Sequence, residues 1–404
     1  MGNMLLTIPN VIKEKKQGSG PGFNWGVSSM SGWKACLQDA FICEPTFGHL
    51  KTFSLFLVMD GFRGNRCSVK VSRDLVDFIL NHETFMNLND GDDYDPADLV
   101  SALQERLIGF DEVMRRDEKE YESGCTVTGA LITPKHFLVV NLGDSRTLLC
   151  RDNKLFFNTK DHNPGNFEER KRIEAAGGNV RYNRINGKLG ISRGLGAFNL
   201  KGCRKRQACQ MLSSEADVTV IDRKNDDFLA IASDGIFFNM SMTEWVRYLV
   251  TRMPYKRHLQ DLAGDVLDYS IHSNESKDDL TLIIVHFNDS PITQEPTKID
   301  HDEKVDEKIR EHTREYVDKE FADGKAPYGW FHCFKALEKG HSELFSDNAN
   351  TQNYGISLKK GVIYDEFRPL VDKIRQTRRA EALKRYEEWQ KQESAKENNV
   401  PISN

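Results

Sequence analysis

Three aspartates stand at the ends of apolar runs. Asp60 closes residues 53–61 (FSLFLVMDG), and Asp234 closes residues 228–235 (FLAIASDG). Asp278 lies in residues 276–279 (SKDD), directly ahead of a third apolar run, residues 280–287. A carboxylate at the end of a core strand is held rigidly. In the Asp-Gly pair, Gly61 allows a sharp turn and leaves its own carbonyl within reach of whatever Asp60 binds. A single Asp-Gly is more often a solvated turn, but the repeat of the same design shifts the weight toward a site. Short carboxylates are hard oxygen ligands that suit magnesium or manganese, with water completing an octahedron at ~2.1 Å. A metal held in this way can make water nucleophilic near neutral pH and neutralise charge on a phosphoryl oxygen. Asp144, within residues 142–146 (LGDSR), is a fourth strand-end aspartate.

The elements that must position these groups follow from periodicity. The runs ending at Asp60 and Asp234, and the run after Asp279, read as strands buried on both faces. Further strands are expected at 24–29, 124–133, 136–141 and 147–150. Those at 124–133 and 136–141 are joined by a turn too short for a crossover. Helical spacing marks residues 68–82, 96–116, 167–176, 242–250 and 259–269. Hairpins among interleaved helices favour an antiparallel α+β layer architecture over a parallel doubly wound sheet. Asp39 is either a turn residue or another acidic group near the metals, with spacing favouring the turn, and His162 is read as a loop-capping histidine in preference to a ligand. Arg193 is left between a phosphate contact and an acidic partner. Lys201, Arg204, Lys205 and Arg206 read as a solvated basic loop, able to attract acidic or phosphorylated peptides if it lies near a phosphate site.

The 404 residues suggest two or three structural units. Residues 1–22 read as an irregular arm and 23–288 as the main domain. Residues 289–300 read as a linker, 301–392 as a charged helical extension and 393–404 as a disordered tail. The extension carries a narrow apolar stripe at Val362, Ile363, Phe367, Leu370, Val371 and Ile374, expected to dock on other helices. A net charge of −5 argues against nucleic-acid binding, which needs a basic face. No apolar run is long enough to span a bilayer, and no signal-peptide pattern opens the chain. The expectation is a cytoplasmic or nuclear monomer. The eight cysteines are scattered singly, which favours reduced thiols over disulfides or zinc. The N-myristoylation pattern at Gly2 is incomplete, because Leu6 stands where Ser or Thr is wanted.

Taken in order, these motifs resemble the metal-dependent protein phosphatase family, also called protein phosphatase 2C. The resemblance rests on residues 32–40, Asp60-Gly61 with Gly64, Ser123-Gly124, Gly143-Asp144-Ser145-Arg146, Asp161-His162, Ala176-Gly177-Gly178, Ile191-Ser192-Arg193, Asp234-Gly235-Ile236 and Ser276-Lys277-Asp278. It is strongest with the animal alpha and beta types, whose helical extension the tail matches more loosely. It implies a four-layer αββα sandwich of two antiparallel sheets flanked by helices. It also implies hydrolysis of phosphoserine and phosphothreonine in proteins by a two-metal site. Asp60, Asp234, Asp278, the Gly61 carbonyl and Gln38 would be the metal positions, with two magnesium or manganese ions expected. Asp144 would help hold a further, weaker ion. Lys34, Asp144 and Arg193 are the candidates for catalytic roles.

The departures from the family pattern are as specific as the matches. Gln38 replaces the usual glutamate, so one metal site should be weakened. Phe62 replaces the histidine thought to protonate the leaving alcohol, and loss of a general acid typically costs ~100- to 10,000-fold. Lys34 replaces a phosphate-contacting arginine and loses its forked geometry. Ala197 and Phe238 replace two aspartates. Two readings follow: a slow, metal-dependent phosphatase, or a pseudophosphatase that uses the fold to bind a phosphoprotein or another partner. The phosphate loop and kinase motif sets are lacking, and neither Cys203 nor Cys209 has the C-x5-R spacing of tyrosine phosphatases.

Overall fold

The computed structural model describes residues 5–117, 122–202, 206–237, 241–253, 258–272, 276–290, 292, 303–322 and 330–345, with isolated helical positions between 359 and 384. The chain divides into two compact units, Met1–Thr297 and Lys298–Asn404.

The strand Ser54–Met59 explains the first unit. All six of its residues are buried. Phe56 and Val58 point one way, into a cluster with Phe23, Trp25, Val27, Ile283, Val285 and Phe287. Leu55, Leu57 and Met59 point the other way, into a cluster with Val71, Leu75, Leu103 and Leu107. Side chains alternate across a strand, so an unbroken apolar run is required where a sheet is covered on both faces. Each such side chain contributes about 1.5–3 kcal/mol on burial.

Apart from two-residue strands, the strands in chain order are β1 Leu5–Asn10, β2 Glu14–Gly20, β3 Phe23–Met30, β4 Gly32–Lys34, β5 Ala40–Glu44, β6 Ser54–Met59, β7 Val127–Ile132, β8 His136–Leu142, β9 Arg146–Arg151, β10 Lys154–Asn158, β11 Asp217–Asp222, β12 Asp226–Ala232 and β13 Leu280–Phe287. The longer helices of this unit are α1 Arg66–Leu80, α2 Pro96–Asp117, α3 Phe167–Ala175, α4 Met242–Arg252 and α5 Leu259–His272. One sheet has the order β11-β8-β7-β6-β5, and the other β10-β9-β12-β13-β3-β2. Pairing is antiparallel throughout. Helices α1 and α2 cover the first sheet, and α4 and α5 the second. The sheets meet face to face through the cluster around Phe56. This is the expected αββα sandwich.

The N-terminal residues depart from the expected irregular arm. Residues 14–20 form β2, paired in register with β3 from Glu14↔Ser29 to Gly20↔Phe23. As an edge strand it is mostly exposed and shows no apolar alternation to read. Its glycines, which resemble a linker, serve packing instead. A Cβ on Gly20 would lie 2.2 Å from the Phe23 ring, so the ring lies across bare backbone. Lys13 and Lys15 pair with Asp268 (2.7 Å) and Asp261 (2.8 Å) on α5.

In the second unit, α6 Glu303–Ala322 and α7 Trp330–Gly340 are the long helices described. Val362, Ile363, Phe367 and Val371 of the expected stripe are buried. Among the described residues no helix is long and apolar enough to cross a membrane. Gly2 and Phe238 lie outside the described residues. The described cysteines are all free thiols, with Cys67, Cys125, Cys150 and Cys333 buried.

Candidate metal centre

Antiparallel register gathers the aspartates. Strand β12 ends at Ala232, beside Leu282 of β13 and Arg146 of β9. Asp234 therefore leaves the sheet where Asp278 and Asp279 enter it and where Asp144 leads into β9. Ser233 and Thr281 lock this corner, with Ser233 N–H donating to Thr281 O at 3.1 Å and Thr281 N–H donating to Ser233 Oγ at 3.0 Å. Asp60 arrives from the other sheet. Its N–H donates to Thr126 Oγ1 at 3.0 Å, and that hydroxyl meets Ser145 Oγ at 2.8 Å, joining the two sheets directly beneath Asp60 and Asp144.

The charges interact strongly. Burial, followed by the charges of Asp234, Asp39, Asp278 and Asp144, pushes the Asp60 carboxyl well above its usual range. Burial and Asp234 do the same to Asp144. Asp234 is pushed up to about 6 by burial and by Asp278, against the opposing pull of a hydrogen bond with Asp60 and of Lys34 and Arg146. Asp279 is pushed up to about 7, chiefly by burial. The buried oxygens Asp234 Oδ1, Asp39 Oδ1 and Asp279 Oδ1 have no hydrogen-bond partner. Buried carboxylates that lack partners and crowd one another call for a cation. The chemistry of this donor set, all hard oxygen, fits magnesium or manganese.

Two groups already meet part of that demand. Lys34, on β4, contacts Asp278 Oδ1 and lies 3.1 Å from Asp279 Oδ2. Burial works against its charge, but Asp278, Asp279 and Asp60 hold the ammonium protonated well above its ordinary range. Gln38 is the second. In the orientation that satisfies both ends of its amide, the oxygen accepts from Gly64 N–H at 3.2 Å and the nitrogen donates to the Gly61 carbonyl at 3.1 Å. The Gln38 backbone is equally close: a Cβ on Gly61 would lie 2.1 Å from Gln38 O, so this position is confined to glycine. Among the described residues, no three acidic, histidine or cysteine side chains converge as a ready-made metal cage. The charge of Asp234 acts on Asp60, while Asp278 is drawn to Lys34.

Asp60, Gly61, Asp234, Asp278, Gln38, Lys34 and Asp144 are therefore brought to one corner. Arg193 is differently engaged. Its Nε and Nη2 donate to Glu169 Oε1 (3.0 and 2.8 Å) and its Nη1 to Asp217 Oδ1 (2.9 Å), which is the acidic-partner alternative. None of these contacts joins it to the strand-end aspartates. Burial works to raise the Glu169 carboxyl, but Arg193, Arg172 and Ser192 outweigh it and hold the group down at about 2. A carboxyl whose pKa is depressed on folding stabilises the fold above its ordinary pKa and loses that contribution as pH falls. The melting-temperature gap between wild type and Glu169→Gln is therefore expected to be full above about pH 4.5 and to narrow toward pH 2. A gap that stays constant over this range would contradict the assignment.

Other expectations are revised by the packing. Asp39 is no turn residue: it is buried, accepts from Thr281 Oγ1 at 2.7 Å, and belongs to the acidic cluster with Asp279. Lys201 is not solvated: it is fully buried, donating to Asp111 Oδ2 (2.7 Å) and Gly194 O (2.8 Å). Phe62 packs against the small cluster of Ile173, Ile185, Leu189, Ile191 and Leu212. Ala197 is buried there too, in a left-handed conformation at φ 49°. His162 does cap its loop, accepting from Gly143 N–H at 3.1 Å and lying 3.1 Å from Asp217 Oδ2. Only the SKDD pairing and the Gln-Asp dipeptide could have hinted at Asp279 and Asp39.

A family model described as protein phosphatase 2C matches residues 23–279. Protein phosphatase ppm-1.A of Caenorhabditis elegans is 34% identical over 300 residues, covering 71% of this chain and 64% of that protein. Protein phosphatase 1A of Bos taurus is 32% identical over 323 residues, covering 78% and 84%. The crystal structure of serine-threonine phosphatase 2C from Toxoplasma gondii superposes with a TM-score of 0.57 at 21% identity, covering 68% of this chain and 100% of that one. The chain belongs to the protein phosphatase 2C family. Within it, the chain is of the animal 1A and 1B type.

Proposed function

We propose that this chain is a slow, metal-dependent protein serine/threonine phosphatase. The observation that carries the reading is the placing of Asp60 and Asp234 at the sheet ends, where the charge of Asp234 helps push the Asp60 carboxyl up, with Asp234 Oδ1 buried and unpartnered. These two are the residues that would hold a magnesium or manganese ion, with Asp144 alongside. What such an ion supplies when bound is an acidified water and charge neutralisation at a phosphoryl oxygen. The protein's own residues do the rest. Thr126 and Ser145 fix Asp60 against Asp144, Ser233 and Thr281 fix Asp234 against Asp278, and Lys34 restrains Asp278 and Asp279. Phe62 has no proton to give, so the departing serine or threonine alkoxide must be protonated by solvent. The reaction is slow on this reading for that reason. Its substrates would be phosphorylated proteins.

A second reading is a pseudophosphatase, a binding protein on the same frame. It is favoured by Phe62, an apolar ring packed on the cluster around Ile173 and Ile191. The two are separated by hydrolysis of a phosphothreonine peptide, titrated with manganese and with magnesium, beside an Asp60→Asn, Asp234→Asn double variant. Turnover that depends on metal and disappears in the variant is the expected result. A wild-type rate equal to the variant's at saturating manganese would replace the catalytic reading with the binding one.

A further inference from the structure

A glutamate at position 38 would set a carboxylate against the Gly61 carbonyl, two acceptors face to face. Such a pair is stable only with a cation or a proton between them. Gln38 changes that arithmetic, because an amide carries donors as well as an acceptor. With the amide turned so that both its ends are satisfied, its nitrogen reaches the Gly61 carbonyl at 3.1 Å and its oxygen accepts from Gly64 N–H at 3.2 Å. The backbone is fixed around this contact: Ser68 Oγ donates to Gln38 O at 2.5 Å, and Gln38 N–H donates to Asp279 Oδ2 at 3.1 Å. The Gly61 carbonyl is thus satisfied from within the protein.

The same has happened on the opposite side. Lys34 Nζ contacts Asp278 and Asp279, supplying a fixed positive charge where two adjacent carboxylates would otherwise repel. With Gly61 closed by an amide and Asp278 held by an ammonium, Asp60 and Asp234 are the proposed ligands that neither group contacts. Asp234 Oδ1 has no partner at all.

We infer that this chain takes a single divalent ion, held by Asp60 and Asp234, and that the Gln38 amide occupies the place of the second. The inference rests on the proposed metal site but not on turnover. It makes position 38 the residue that sets metal stoichiometry: the amide hydrogen bond and an ion at the Gly61 carbonyl exclude each other.

The test counts ions. The full chain is stripped with chelator and titrated with manganese, following the free ion by electron paramagnetic resonance and the heat by calorimetry. Wild type is expected to take one equivalent, Gln38→Glu two, and the Asp60→Asn, Asp234→Asn variant none. Thermal unfolding in chelator establishes that each variant is folded. Two equivalents in wild type, or none, would overturn the inference whatever the variants do. A folded Gln38→Glu that still takes one would overturn the role given to the amide. A wild-type count of one with no hydrolysis would leave the inference standing and remove the phosphatase reading, so the two can fail separately.

Discussion

A Gln38→Glu, Phe62→His double variant is expected to hydrolyse a phosphothreonine peptide at least ~100-fold faster than wild type at saturating manganese, within the ~100- to 10,000-fold range of a general acid. The two changes act on different deficits. Glutamate at 38 replaces an amide that closes on the Gly61 carbonyl with a carboxylate that cannot, reopening a place for metal. Histidine at 62 restores a side chain that titrates near neutrality, two residues beyond Asp60. The change is not free structurally. Phe62 packs on the cluster around Ile173 and Ile191, and a Cβ on Gly124 would lie 2.4 Å from its ring tip, so the fit is close. An imidazole fills less of that space, and a drop of a few degrees in melting temperature should accompany the gain. The rise should appear in kcat, because the proton is needed when the bond breaks. A folded double variant with no gain would mean that the corner lacks more than these two groups, and would strengthen the binding-protein reading.

Lys201→Met is expected to lower stability by about 3–5 kcal/mol, the usual cost of removing one member of a buried ion pair. Lys201 and Asp111 are both completely shielded from solvent. Asp111, on α2, accepts from Lys201 Nζ through one oxygen and from Gly196 N–H (2.8 Å) through the other. Methionine nearly matches the lysine stem but leaves a bare buried carboxylate. Adding Asp111→Asn should recover much of the loss, since the amide oxygen still accepts from Gly196 and no charge remains. The readout is the urea midpoint at unchanged m-value. A Lys201→Met variant within 1 kcal/mol of wild type would show that the carboxylate finds another cation or is protonated at little cost.

Much of the frame is legible in the residue pattern because burial leaves a periodic mark. The run into Asp60 is apolar without interruption because helices lie on one face and a second sheet on the other. The amphipathic helices read correctly because each has one covered face. Strand β2 is hidden, because an edge strand under solvent needs no apolar alternation, and its glycines serve aromatic rings contributed by β3. Within the site, the single-chain pattern marks residues at strand ends but not those that come together through register. Asp39 reaches Thr281 from the far side of the sequence, and Lys201 reaches Asp111 across ninety positions. Neither partner leaves a local trace. The Gln38 contact is hidden for a different reason. Whether an amide weakens a metal site or closes it depends on which acceptor it faces, and that is a matter of ångströms.

The central position of β13 has a consequence for how the protein is made. This strand lies between β12 and β3, and its partner in the sheet, from Phe23↔Phe287 to Met30↔Leu280, leaves the ribosome well ahead of it. At ~5–20 residues per second, β3 waits on the order of tens of seconds for it. Until then the edge of β3 that pairs with β13 is open, and non-local pairing of this kind folds slowly. Nascent chains stalled before residue 280 should accordingly depend on chaperones, and chains released past residue 287 should not.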